Sequence, residues 1–301
     1  MWSKKKLEAF VVLNIVAAMA LTTLKVVILV NYKAGGLLMF ISSIVKMMVS
    51  YLNIQTLDFK MRYVFVIAVL NFVGGCLGML AYYYKASSTS YIISSNLQHL
   101  FTALMVTAWN GTRYSSIQYI GLMLILVGFL VEISSGEFLC IPLHMFIGSL
   151  SGLFNALSLA VFESKIKPVL VDFRRLWCYM TTYGLYLTVF SSFYMVEEAF
   201  TKKAEYIKMV SSPIIYLVFL IEIATTYLLS EISPFLDTVE RSTLLNVITG
   251  LSAAVSDVYL CREIDIQRFL AFSFTVIGVQ VFNFFWKEAV HPFHHVDGCT
   301  S

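Results

Sequence analysis

PFLDTVERSTLLNVITGLSAAVSDVYL, residues 234–260, is long and apolar enough to cross a bilayer, yet it carries Asp237, Glu240 and Arg241 close together. A hydrocarbon core about 30 Å thick takes about 20 mostly apolar helical residues. Charge at that depth is costly unless it faces a cavity or a partner. The stretch therefore reads as a span that lines a path for something polar.

The rest of the chain has the same character. Of 301 residues, 59% are hydrophobic and only 13% charged, where a soluble domain carries roughly twice that charge. The mean hydropathy is +0.80. These values indicate an all-α polytopic membrane protein embedded in the lipid bilayer. No small-residue cleavage site follows Lys4, Lys5 and Lys6, so the first apolar run is expected to stay as a span. The net charge of +3 is spread over loops without a long basic run, which argues against nucleic acid as a partner. Cys76, Cys140, Cys178, Cys261 and Cys299 are scattered and odd in number, with neither a disulfide framework nor a metal-ligand spacing.

Ten stretches are long enough to span: 7–30, 35–54, 61–83, 90–109, 116–134, 139–163, 175–197, 211–231, 234–260 and 267–286. The longest connection expected is the charged joint from Glu198 to Val210. With the first residue in the cytosol, eleven Lys and Arg fall in cytosolic loops and seven in the opposite ones, which favours cytosolic termini. Ten spans divide into two sets of five, and an odd number per set makes a duplicated second half insert upside down. The expected units are a first five-helix repeat over 1–135, a second over 136–288 and a polar cytosolic tail over 289–301. Ser116-Ile117-Gln118 with Gly128 farther on echoes Asp265-Ile266-Gln267 with Gly278 farther on.

Three cations, Lys25, Lys46 and Arg241, fall inside spans. Lys46 lies mid-span, too deep to snorkel easily. It reads either as a cation facing a central cavity or as half of an ion pair with a buried acid such as Glu222. Arg241 can grip a phosphate with two parallel hydrogen bonds, or be neutralised by Asp237 one turn earlier. Lys25 is nearer a span edge, and snorkelling accounts for it. In the fourth span Tyr91, Ser95 and Gln98 share a face, either a polar cavity wall or glue between helices. Tyr82, Tyr83 and Tyr84 read as an interfacial aromatic belt. His291, His294 and His295 lie in the polar tail and read as solvated. No nucleophile elbow, P-loop or zinc-hydrolase motif occurs, so the chain reads as no enzyme, without cofactor or metal.

Several stretches, in order, resemble the nucleotide-sugar transporter family of the drug/metabolite transporter superfamily. Thr89-Ser90-Tyr91-Ile92-Ile93, Asn96-Leu97-Gln98 and Leu100-Phe101-Thr102-Ala103-Leu104 resemble A-T-Y-Q-V followed by Q-L-K-I-L-T-T-A-L. Ser116-Ile117-Gln118-Tyr119 leading to Gly128 resembles the family's fifth helix and the loop before it. Asp237-Thr238-Val239-Glu240-Arg241 resembles D-N-I-L-K, Ser43-Ile44-Val45-Lys46 resembles E-L-L-K, and Phe162-Glu163 resembles the F-E closing the sixth helix. The departures bear on substrate: Ser43 stands for Glu, Gln98 for Lys, Gly75-Cys76-Leu77 for Q-N-N, Pro234 for Lys and Thr225-Thr226 for paired glycine.

The resemblance implies ten transmembrane helices in two inverted five-helix repeats around a cavity that opens alternately to each side. It also implies a Golgi membrane, with the endoplasmic reticulum as alternative. The activity implied is exchange of a cytosolic nucleotide sugar, a UDP-sugar such as UDP-galactose or UDP-N-acetylglucosamine, for lumenal nucleoside monophosphate. On this expectation Lys46 and Arg241 clamp the diphosphate, Tyr91 and Gln98 read base or sugar, and Glu163 and Asp237 orient the cations or gate. Two alternatives stand beside it: transport of a smaller phosphorylated or amine solute, and a non-transporting membrane interaction protein. Assembly as a homodimer is left open.

Overall fold

A computed structural model describes residues 4–51, 61–84, 87–111, 113–134, 142–166, 173–232, 238–260 and 266–284. The polar tail with its three histidines lies outside these residues. Inside hydrocarbon no water can satisfy backbone N–H and C=O groups, so they must pair within the chain. The described residues accordingly contain helices and turns and no strand.

The helices are α1 (Lys4–Tyr32), α2 (Gly35–Tyr51), α3 (Met61–Tyr83), α4 (Ser88–Ser95), α5 (Leu97–Asn110) and α6 (Ser116–Ser134). They continue with α7 (Leu143–Val161), α8 (Phe173–Thr201), α9 (Lys203–Val210), α10 (Pro213–Ile232), α11 (Thr238–Tyr259) and α12 (Ile266–Phe284). A π turn, Phe162–Ile166, extends α7.

Two boundaries differ from the sequence expectation. The fourth span is broken at Asn96 into α4 and α5. There the His99 N–H turns back three residues to the Asn96 carbonyl at 3.1 Å, tighter than the four-residue spacing of an α-helix. The joint expected over Glu198–Val210 is helical. α8 runs on to Thr201 because Glu198 is buried against α2, and α9 follows it.

Among the described residues, four helical stretches are long and apolar enough to cross a membrane: Val11–Tyr32, Arg62–Tyr83, Ser116–Ser134 and Leu143–Ile166. A fifth is added if Lys203–Val210 and Pro213–Leu228, bent by 64°, count as one span. The apolar α2 has 17 residues, and the break leaves α4 with 8 and α5 with 14. The surface pattern suits lipid. Leu104, Met123, Phe193, Phe200 and Leu220 point outward, while Asn14, Gln118, Glu132, Glu198, Glu222 and Asp257 are buried. A buried charge beside exposed large apolar side chains is the reverse of a soluble core.

α6 packs along α12, α2 along α8, α3 along α7 and α8, α7 also along α4 and α5, and α1 along α10 and α11. The α6/α12 contact is antiparallel and close. A Cβ on Gly121 would lie 2.8 Å from the Gly278 carbonyl oxygen, and one on Gly278 would lie 2.6 Å from that of Gly121. Small residues let backbones approach where lipid leaves no hydrophobic drive between helices. α2 is antiparallel to α8, with Gly36 against Met195 and Met47 against Gly184, and antiparallel to α3, with Gly35 against Met79 and Met39 against Gly75.

Candidate functional site

The register of α2 against α3 sets the depth of the inner polar groups. Met39 faces Gly75, so Ser42, three residues on, lies level with about the middle of α3. Ser42 and Lys46 are four residues apart and share one face of α2. Lys25 of α1 reaches this level. Its ammonium donates to Ser42 Oγ at 2.7 Å and forms an ion pair with Glu222 of α10. Glu222 is buried and Lys25 only partly exposed.

Lys25 therefore does not snorkel as expected: α1 packs on α10, and a buried carboxylate there holds its ammonium inside. Glu222, a candidate partner for Lys46, belongs instead to Lys25. Lys46 is half-buried and has no ion-pair partner among the described residues. The Lys25 and Lys46 ammonium groups are near enough to repel each other. Lys25, Lys46 and Glu222 together leave one positive charge unbalanced.

A second polar surface forms where α4 and α5 meet α7. The Tyr91 ring lies 5.0 Å from that of Tyr82, and its hydroxyl is 3.4 Å from Ser151 Oγ, which donates to the Gly74 carbonyl at 2.8 Å. Gly152 of α7 abuts the break itself. A Cβ there would be 2.7 Å from the Ser95 carbonyl oxygen and 3.2 Å from the Gln98 nitrogen. The Gln98 side chain is half-buried. Tyr91 is level with Gly78, so roughly 15 Å of helix rise separates it from Lys46, at 1.5 Å per residue. The two expected binding residues thus stand at different depths, with Gln98 between them. The aromatic belt reduces to Tyr84, which is exposed; Tyr82 packs on Tyr91, and Tyr83 is drawn into the contacts described below.

Glu163 is half-buried in the π turn that extends α7. Its charge acts on Tyr114, in the turn between α5 and α6, whose phenol is pushed above its ordinary pKa first by burial and then by this carboxylate. Arg241 lies in α11, but its side chain is outside the described set, and Asp237 lies outside the described residues altogether. No group of three or more His, Cys, Asp and Glu able to hold a metal occurs among the described residues.

Sequence reasoning missed a set of carboxylates at one end of the bundle. A helix begins with backbone N–H groups that have no partner within it, and with partial positive charge. At α2 these groups are held by Glu198 of α8, which accepts from Gly35 N–H at 3.1 Å, Gly36 N–H at 2.7 Å and the Tyr83 hydroxyl at 3.1 Å. Gly36 has to lack a side chain, because a Cβ would sit 2.9 Å from Glu198 Oε2 and from the Met195 backbone.

At α4 the same part is played by Asp257 of α11. It accepts from Ser88 N–H at 2.8 Å, from Thr89 N–H at 2.9 Å and from the Thr89 hydroxyl. Glu132 of α6 accepts from Ser90 Oγ and pairs with Arg268 of α12 at 3.2 Å. Tyr83 also donates to the Lys33 carbonyl at 2.8 Å, and the Lys202 ammonium lies 5.0 Å from the Tyr83 ring centroid. Lys33 adopts a φ of 48°, a left-handed conformation uncommon outside glycine. The signal for Asp257 and Glu132 was an acid in an apolar run; for Glu198 it was hidden by reading that segment as a joint.

Compared with known proteins, the chain matches no protein-family model and no curated protein.

Proposed function

We propose that this chain is a transporter for an anionic, phosphate-bearing solute, of the nucleotide-sugar class, working by alternating access. The observation that carries this is Lys46: a half-buried cation on the apolar α2, without an ion-pair partner among the described residues, one helical turn from Ser42, which the Lys25 of the Lys25–Glu222 pair contacts. An unbalanced ammonium at such depth is disfavoured until an anion or water reaches it. A diphosphate that must cross about 30 Å of hydrocarbon is a natural partner. The depth difference between Lys46 and Tyr91 supports an extended ligand, its phosphates near Lys46 and Arg241 and its uncharged end near Gln98 and Tyr91.

The proposed architecture is ten spans in two inverted repeats, with α4 and α5 as one span and α9 joining two. The packing partners support it. Exchanging α1 with α7, α2 with α8, α3 with α10, the α4–α5 pair with α11, and α6 with α12 turns the α1/α10 contact into α7/α3. It likewise turns α1/α11 into α7 against α4–α5, and α2/α10 into α8/α3. The contacts α2/α8, α4/α11 and α6/α12 map onto themselves. A Golgi membrane with both termini cytosolic completes the proposal.

The test is uptake of radiolabelled UDP-, GDP- and CMP-sugars into proteoliposomes preloaded with the matching monophosphate. Uptake of one class stimulated by the monophosphate inside is expected, and Lys46→Met should abolish it while leaving the protein folded. Uptake unchanged in Lys46→Met overturns the mechanism. Silence toward all nucleotide sugars from folded protein overturns the substrate class.

A further inference from the structure

The ion pair beside Lys46 has a feature that a purely structural pair does not need. The Lys25 ammonium makes two contacts, one with Glu222 and one with Ser42 Oγ at 2.7 Å. Ser42 lies on α2, one turn from Lys46 and on the same face, so Lys25 and Lys46 flank one stretch of α2. A ligand carrying one negative charge would balance the one unbalanced positive charge here. A diphosphate carries a second, which finds no free cation in this group while Glu222 holds Lys25.

We propose that Lys25 is a further cation of the anion site, acting beside Lys46 in addition to Arg241, and that Glu222 is its built-in counter-ion, competing with the ligand's second phosphate oxygen for the Lys25 ammonium. This rests on the anionic-solute function above. In the structure Glu222 holds Lys25. When the anion enters, Lys25 turns from Glu222 to the ligand across the Ser42 hydroxyl, and the polar tie between α1 and α10 slackens.

That tie is dispensable for holding the two helices together. Leu21, Ile28 and Leu29 of α1 pack in one apolar cluster with Ile215 and Val218 of α10. Ligand entry thus weakens a contact that, in the proposed architecture, joins the first repeat to the second. This couples occupancy to the relative movement of the halves, since a ligand shifts a conformational equilibrium only by binding its states differently. The ligand is a water-soluble phosphate or diphosphate ester. A lipid headgroup stays at the interface, about half a hydrocarbon thickness from this level.

The experiment is calorimetric titration of the purified, detergent-solubilised full chain with inorganic pyrophosphate, and separately with UDP. Wild type is compared with Glu222→Gln, Lys25→Met/Glu222→Gln and Lys46→Met. The double variant removes both charges together, so no buried charge is left alone. Removing the competitor frees a charged hydrogen-bond donor, so Glu222→Gln should bind pyrophosphate about tenfold tighter or more. Lys25→Met/Glu222→Gln should lose that gain entirely, and Lys46→Met should fail to bind.

Glu222→Gln no tighter than wild type, with Lys46→Met still failing to bind, overturns the role of the pair and leaves the anion site intact. A double variant as tight as Glu222→Gln overturns the contact with Lys25, since Glu222 would then act only through its field. Absence of pyrophosphate and UDP binding by both wild type and Glu222→Gln overturns the inference together with the proposed function. A larger gain with UDP than with pyrophosphate identifies a nucleotide rather than a free phosphate as the ligand.

Discussion

Replacing Asp257 with Ala isolates the carboxylate that holds the first turn of α4. Asp257 is 1% exposed and accepts two backbone N–H groups, at 2.8 and 2.9 Å, as well as the Thr89 hydroxyl. The hydroxyl can rotate toward another acceptor, whereas the two N–H groups point where the fold points them. Each buried donor left without a partner is disfavoured by about 1–3 kcal/mol. Relief from burying a carboxylate offsets part of the sum, leaving a net destabilisation of about 3 kcal/mol. Asp257→Asn keeps one acceptor oxygen but turns an amide NH2 toward the second donor, for a loss of about 1–2 kcal/mol. Val258→Ala, at an outward-facing residue 67% exposed, is the control and should stay within about 0.5 kcal/mol of wild type. The assay is reversible unfolding in mixed micelles, titrated with SDS and followed by tryptophan fluorescence and helical circular dichroism. The expected order is Ala, then Asn, then the control. Asp257→Ala as stable as Val258→Ala would refute the reasoning, because the carboxylate would then not be holding those donors.

Glu198→Gln should destabilise by a similar 1–2 kcal/mol and, in the proposed transporter, raise thiol labelling of cysteines introduced at the end of the bundle where α2 starts and α3 finishes, while lowering it at the opposite end. Equal rises at both ends would mean simple loosening. Gly278→Leu forces a side chain into the α6 backbone 2.6 Å away. A loss of about 3 kcal/mol or more is expected, since the two nearest atoms, the Gly121 carbonyl oxygen and the Ile125 nitrogen, belong to backbone that cannot yield; a variant of wild-type stability in the same titration would contradict the close α6/α12 approach. Asn110-Gly111-Thr112 is the single glycosylation sequon in the chain. With cytosolic termini it stays unmodified in microsomes, and a glycan on Asn110 seen by mobility shift would invert the orientation.

The membrane class and most helix positions were legible in the sequence because burial in lipid imposes a local rule, about 20 apolar residues per crossing. The same rule failed where structure depends on a neighbour. The break at Asn96 falls where α7 presses Gly152 against the α4/α5 turn. Glu198 turned a supposed joint into helix because its carboxylate lies on the start of α2, 162 residues away in sequence from Gly36. Lys46 stands out in any linear reading as one charge in an apolar run, and the structure places it half-buried on α2.

Which acid it would lack, and which Lys25 would take, was not visible. Ion pairing depends on which helices touch, and apolar periodicity says only which face is covered. By itself, then, the sequence determined a helical chain with several helices apolar enough to cross a membrane and with cations set in apolar runs. Only the tertiary structure decided that α1 meets α10, so that Glu222 neutralises Lys25 and leaves Lys46 without an ion-pair partner among the described residues. Hydrophobicity acts residue by residue and is written locally, whereas electrostatic balance in a low dielectric is settled by whichever charges the packing brings within a few ångströms.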